Sequence, residues 1–325
     1  MRIRWGRELI ILIAIILLSF FLALTTNFLF THDRSGGLTF NSQSIRLLLE
    51  TNAYAVIAAV GMTMVIVSGQ IDLSVGSALA VCSLAGGYAA LAGIPIPLVV
   101  PLMIACGTVI GLVNGLAVSK GRIHSIIVTL GMMTLLRGFI LLVTAQQWLY
   151  PPDSFKYLGR ARLLGLTLPV WEAAVVALIA AYLMANTRLG RAIYAVGSNR
   201  DAASLSGINM PRIQLLVLTL NGMLIGVASV AQAPRFTAIQ NNIGMGLELL
   251  AITSVVVGGT SIFGGSGNVL GSVLGALFIG LIHSAMVFLR IPAIWEQAVY
   301  GLFLLIAVAM DIIRTRRRIA LGGTR

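Results

Sequence analysis

The sequence predicts an all-α, polytopic membrane protein of about ten spans, forming a single domain over 1–325. Three observations carry that class. Of the 325 residues, 58% are hydrophobic and only 10% charged, with a mean hydropathy of +0.98, whereas soluble chains carry about 25% charged residues. The charges sit at the edges of uncharged runs about as long as the ~20 residues a helix needs to cross a bilayer. The basic residues also divide unequally between alternate loops, as they do when they set orientation in a membrane. A net charge of +12 is the balance of many nucleic-acid binders, but these cations have few aromatic partners for stacking bases, so no nucleic-acid partner is expected.

The first span is expected at roughly 9–30. Basic residues before an apolar run also suit a signal peptide, but no small-x-small cleavage site follows, which favours an uncleaved span. Span two is expected at 51–69, between Glu50 and Asp72. The uncharged stretch Leu73–Ser119 is too long for one helix and suits spans three and four, with IPIP at 94–97 as their turn. Spans five and six follow at 124–145 and 165–185, and span seven at 213–233. Spans eight and nine share the uncharged stretch 249–289, with the glycine-rich SIFGGSGN as their turn, and span ten covers 293–311.

With both termini inside, fourteen Lys and Arg fall on the cytoplasmic side, among them Arg2, Lys120, Arg188, Arg200 and Arg316. Seven fall outside, and Arg137 lies within span five. Two to one is the expected bias. Gly107, Gly111 and Gly115 in span four are echoed by Gly267, Gly271 and Gly275 in span nine. Five spans separate them, so the copies run in opposite directions, the pattern of an inverted repeat. Close helix packing accounts for the same spacing equally well.

The segment 186–212 interrupts the apolar pattern with Arg188, Arg191, Arg200 and Arg212, which places it in the cytoplasm. Ser198 and Asn199 are N-cap types, Asp201 falls in a first turn, Ala202, Ala203 and Leu205 favour helix, and Gly207 suits a C-cap. A simple connector needs no embedded helix; a loop that grips a soluble partner does.

Three stretches, TRLGRAIYAVGSN with AASLSGI inside that loop, GQIDLSVGS at 69–77 and GMGLELLAITSVVVGGTSIFGGSG at 244–267, resemble the membrane subunits of bacterial ABC sugar importers. This is the ribose-type permease family, whose members carry ribose, xylose, rhamnose or autoinducer-2. The resemblance implies that Asn199–Ser206 is a coupling helix docking in a cleft of an ATP-hydrolysing subunit. Its contacts would involve Asn199, Arg200, Asp201, Ala202, Ala203, Leu205, Ser206 and Gly207. It further implies paired ABC ATPase subunits, a second permease subunit (identical or related), a periplasmic sugar-binding protein and a place in the inner membrane. RIPAIW at 290–295 and the start MRIRWGREL lean toward the autoinducer-2 members.

Six residues are candidates for the pathway or its gate. Asp72 and Ser74 interrupt apolar sequence; Asp72 either caps the next helix or lines the pathway. Gln70 replaces the small residue usual before Ile-Asp-Leu-Ser in the family. Arg137, costly inside a span, either snorkels, pairs with Glu172 or Glu248, or faces the pathway. Glu248 stands where the family often has a second acid two residues on, here Leu250. Gly264 and Gly265 belong to a tight cytoplasmic hairpin near the ATPase side. His283 is expected to be a hydrogen-bonded interior residue, and Cys82 and Cys106 small core residues without metal spacing.

No GxxxxGK[ST] loop occurs, so ATP hydrolysis is expected on a separate subunit and no cofactor on this one. Without a catalytic constellation, and with few intramembrane charges, the expected solute is a small neutral polyol such as a monosaccharide. The rival reading is a stand-alone transporter driven by an ion gradient.

Overall fold

The computed structural model describes residues 6–26, 28, 30–32 and 38–320. Thirteen α-helices run in the order α1 (Gly6–Thr25), α2 (Ser42–Val67), α3 (Val75–Leu91), α4 (Ile96–Ser119), α5 (Ser125–Thr144), α6 (Asp153–Arg160) and α7 (Leu168–Asn186). They continue with α8 (Arg188–Ser198), α9 (Arg200–Leu205), α10 (Met210–Gln232), α11 (Leu247–Val257), α12 (Val269–Phe288) and α13 (Glu296–Ala320). Two short antiparallel hairpins, Phe30–His32 with Leu38–Phe40 and Arg162–Leu163 with Leu166–Thr167, are the only sheets among the described residues.

Among the described residues, seven helices are long and apolar enough to cross a membrane: α2, α4, α5, α7, α10, α12 and α13. The other three predicted spans fall on shorter apolar helices, 9–24, 75–91 and 247–257. Charge boundaries misplaced two ends. Helix α1 stops at Thr25 rather than 30, where Thr26 turns its hydroxyl back onto the Leu22 carbonyl. Helix α2 begins nine residues before position 51, capped by Asn41, whose Oδ1 accepts the Ser44 N–H; Arg46 and Glu50 therefore ride on its first turns.

The larger departure is span eight. Helix α11 has 11 residues, about 16 Å of rise against a hydrocarbon core of ~30 Å. The chain before it, 236–246, is non-helical. Helix α3, with 17 residues, is likewise preceded by the non-helical segment 68–74. The start of α3 meets the broken segment before α11: a Cβ on Gly76 would strike the Gly244 carbonyl, and one on Gly244 would strike that of Gly76. Their backbones touch because neither residue has a side chain there.

Helix α2 is the centre of the bundle, buried at nearly every position from Ala53 to Val67 and flanked by α7, α10, α11 and α12. Helices α4 and α10 cross closely, since Gly107 and Gly111 face Gly222 and Gly226 with no room for a methyl group. Gly271 and Gly275 of α12 press in the same way on Gly258 and Ser254 at the end of α11. Small residues at such crossings maximise van der Waals contact where lipid offers no hydrophobic drive. Helices α5, α7 and α13 lie outside and expose large apolar side chains, among them Leu142, Leu178 and Leu305.

Candidate functional site: the junction of three loops

Three segments far apart in sequence converge at the end of the bundle that carries α8 and α9. Gly265 donates its N–H to the Val67 carbonyl at 2.9 Å, joining the glycine-rich loop to the end of α2. Helix α8 covers that contact. Tyr194 donates its hydroxyl to the Gly267 carbonyl (2.8 Å), Ser198 to that of Gly265 (3.4 Å), and the Arg200 guanidinium to that of Gly69 (3.2 Å). Burial pushes the Tyr194 phenol up, so it stays a donor through neutral pH. Gly197 lies at the centre, where any Cβ would strike the Val67 carbonyl. Gly264 (φ +87°) packs on Gly69 in a left-handed conformation that glycine adopts without steric cost.

The segment 199–207 is built as its residues predict. Asn199 (φ −157°, ψ 111°) breaks the chain between α8 and α9, and its Oδ1 accepts the Ala202 N–H at 3.0 Å. Asp201 sits in the first turn. Gly207 (φ +78°) closes the helix: its N–H reaches the Ser204 carbonyl, and the Ile208 N–H that of Ala203. This is the paired bond pattern of a Schellman cap. Arg200, Asp201, Ala202, Ser206 and Gly207 are exposed, and Leu205 is 91% exposed. Ala203 is only 3% exposed and belongs to the core. Ala203, expected among the contacts to a partner, is therefore corrected to a core residue, because its side chain turns inward and leaves Ala202 as the exposed alanine of this helix.

Behind the junction lies a buried polar tie. Asp72 Oδ1 accepts from both the N–H (2.9 Å) and the hydroxyl (2.6 Å) of Ser74, while Oδ2 accepts from Asn221 Nδ2 of α10 (2.9 Å). Asn114 Nδ2 of α4 donates to the Ser74 hydroxyl at 2.9 Å. All four residues are at most 2% exposed. Asp72 thus turns its own segment and fastens it to α4 and α10 instead of capping α3, whose first turn has no side-chain cap. Two hydroxyls of α5 hold the same extended stretch: Ile71 and Leu73 donate their N–H groups to Ser125 and Thr129. Non-helical backbone within hydrocarbon needs such partners.

The family of branched-chain amino acid transport system permease components matches residues 44–308. The ribose import permease protein RbsC of Haemophilus influenzae is 38% identical over 272 residues, covering 82% of this chain and 84% of that protein. Its Escherichia coli K12 counterpart is 40% identical over 272 residues (81% and 84%). The autoinducer 2 import system permease protein LsrC of Salmonella typhi is 36% identical over 308 residues (94% and 86%). The chain belongs to this permease family. No solved structure matches it.

In this permease the remaining candidates stand apart from the junction. Arg137 pairs with neither Glu172 nor Glu248 among the described residues. Its Nη1 donates to the carbonyls of Ile243 (3.1 Å) and Asn241 (3.4 Å), anchoring the non-helical segment before α11. Of the alternatives the sequence left open for Arg137, pairing with an acid is not seen; the under-bonded carbonyls of a broken segment compensate the cation instead. Glu248 lies in the first turn of α11, with its carboxylate against Gly76. His283 is exposed and stands 3.7 Å from the Glu296 carboxylate, not in the interior. Gln70 is buried; its backbone N–H donates to the Val65 carbonyl at 3.1 Å, while its side-chain amide has no hydrogen-bond partner among the described residues. Cys82 and Cys106 are free thiols.

Sequence reasoning missed Tyr194, Gly197, Asn114 and Asn221. The asparagines had left a signal: each is a lone amide in an apolar run, directly before a glycine, and an amide in hydrocarbon must find a partner.

Proposed function

We propose that this chain is the permease subunit of an ATP-driven importer in the bacterial inner membrane, passing a monosaccharide or similar small neutral polyol. ATP is hydrolysed on separate ABC ATPase subunits. A periplasmic binding protein delivers the solute, and a second permease subunit, identical or related, completes the assembly. The observation that carries this reading is the junction. Helix α9 projects five exposed residues, while adjacent α8 and Arg200 are bonded to Gly69, Gly265 and Gly267, and Gly265 in turn to Val67. A displacement of α9 therefore acts on the ends of α2 and α11 and on the broken segment leading into α3. The solute class is supported by the ribose and autoinducer-2 relatives.

The pathway in this reading lies between two pseudosymmetric halves. Helix α4 packs on α3 and α10, and α12 packs correspondingly on α11 and α2. Counting α6, α8 and α9 as insertions, these pairs exchange under a shift of five spans. The start of α3, just after the broken segment at Asp72–Ser74, meets the broken segment before Glu248 at Gly76 and Gly244. Asp72, Ser74, Arg137 and Glu248 fix those segments, and Gly264 and Gly265 link them to α8. Both termini and α9 face the cytoplasm, following the basic residues.

The test is reconstitution. With a partner ABC ATPase, a sugar-binding protein and ATP, proteoliposomes should concentrate ribose or a related sugar; the permease alone, under a proton or sodium gradient, should not. Concentrative uptake by the lone chain would overturn the reading in favour of an ion-coupled transporter.

A further inference from the structure

A cavity of about 210 Å³ opens beside the glycine-rich loop, between the start of α1 and the ends of α11 and α13. Its walls are Ile10 and Ala14 of α1, Val257 of α11, Phe278 of α12, and Phe303 and Ala307 of α13. Phe278 and Phe303 meet edge to face with centroids 5.8 Å apart, a rigid floor. From Phe303 to Asp311 the groove runs about 12 Å along α13, within the ~15 Å that one leaflet contributes to the hydrocarbon core. Ile306 and Met310, each about half exposed, rim the mouth, which opens sideways toward the surrounding bilayer.

The polar lining is confined to one end. There Asp311 accepts the Ser261 hydroxyl at 2.8 Å, beside Thr260. Just past that end, α13 continues through Arg314, Arg316, Arg317 and Arg318, and α1 begins with Arg7 three residues before Ile10. The acids in the same stretches are Glu8 and Asp311, so cations are in excess. Apolar groove followed by cationic helix end is the complement of one molecule present in every bacterial membrane. We propose that the groove seats an acyl chain of an anionic phospholipid, with its headgroup at the level of the arginine-rich end of α13. Because Gly259 and Thr260 line the groove and open the loop that binds Val67, an occupied groove steadies the junction from behind.

Native mass spectrometry and thermal melting of the detergent-purified protein test this. Dioleoylphosphatidylglycerol should stay bound and raise the melting temperature at a concentration about tenfold lower than dioleoylphosphatidylcholine, as several nearby cations imply. Ala14→Phe, which fills the groove from a peripheral helix, should abolish both effects; Ile10→Trp at the half-exposed rim is the second filler should the first fail to insert. Arg316→Gln, Arg317→Gln and Arg318→Gln together should make the two lipids equivalent. Equal binding of both lipids to the unmodified protein would overturn the proposal, as would unchanged phosphatidylglycerol binding by a correctly inserted filler. So would a filler that lowers the dimer fraction while the unmodified protein carries no lipid, since the face then belongs to a second copy.

Discussion

Gly197 and Gly131 both lie in helices, and the same substitution should move them in opposite directions. Gly197→Ala drives a methyl group into the Val67 carbonyl, an overpacking expected to cost about 1–3 kcal/mol and to abolish uptake. Gly131 has open space around it, so Gly131→Ala should stabilise the protein by about 0.5–1 kcal/mol through helix propensity. Melting temperatures in detergent report both. The tie at Asp72 makes a second claim. Asn221→Leu removes a donor to a buried carboxylate and should cost about 1–2 kcal/mol. Combined with Asn114→Leu, the losses should depart from additivity by at least about 0.5 kcal/mol, because both amides act on one Asp72–Ser74 unit. Strict additivity in that cycle would mean that the two amides serve separate ends. At this scale the sequence was partly legible. Asp72, Ser74, Gly264 and Gly265 stand out by type, but Gly197 is one glycine among 35, and only the three-dimensional approach of Val67 distinguishes it.

At the scale of elements, α9 was fully legible, since an N-cap, an acidic first turn and a closing glycine are local signals that need no tertiary context. Which of its faces is free was not legible: six residues are too few for a pattern of burial to emerge. The structure makes Leu205 the projecting apolar residue and Ala203 an inward one. Leu205→Asp should therefore leave insertion and melting temperature unchanged while reducing co-purification of the ATPase at least about tenfold, a loss of ~1.4 kcal/mol or more. Ala203→Trp should instead lower the melting temperature. Retention of the ATPase by Leu205→Asp would remove α9 from the docking surface. The shortness of α11 was not legible for a related reason. The absence of charge marks where hydrocarbon is entered, not where the backbone is helical. The segment 236–246, held by Arg137, is therefore as uncharged in sequence as a full span.

For the whole molecule, the all-α polytopic class was legible, because apolar runs bounded by charge alternate along the chain; where one run holds two helices, only the turn residues marked the division. Orientation follows from the basic residues and is open to direct test: reporter fusions after Arg325 and within 150–160 should report opposite sides, with the C-terminal one cytoplasmic. Matching signals from the two fusions would mean a miscounted crossing.

The junction also dictates an order in time. Ser198 and the carbonyl it binds at Gly265 are 67 residues apart, and synthesis at about 5–20 residues per second takes roughly 3–13 s to cover that distance. During that interval α8 and α9 have emerged, yet the glycine-rich loop that anchors them does not exist. A nascent chain arrested after Val257 should thus carry a protease-sensitive α8, and one arrested after Phe288 a protected one. The junction can close only when the chain has been made through Gly265, about four fifths of its length.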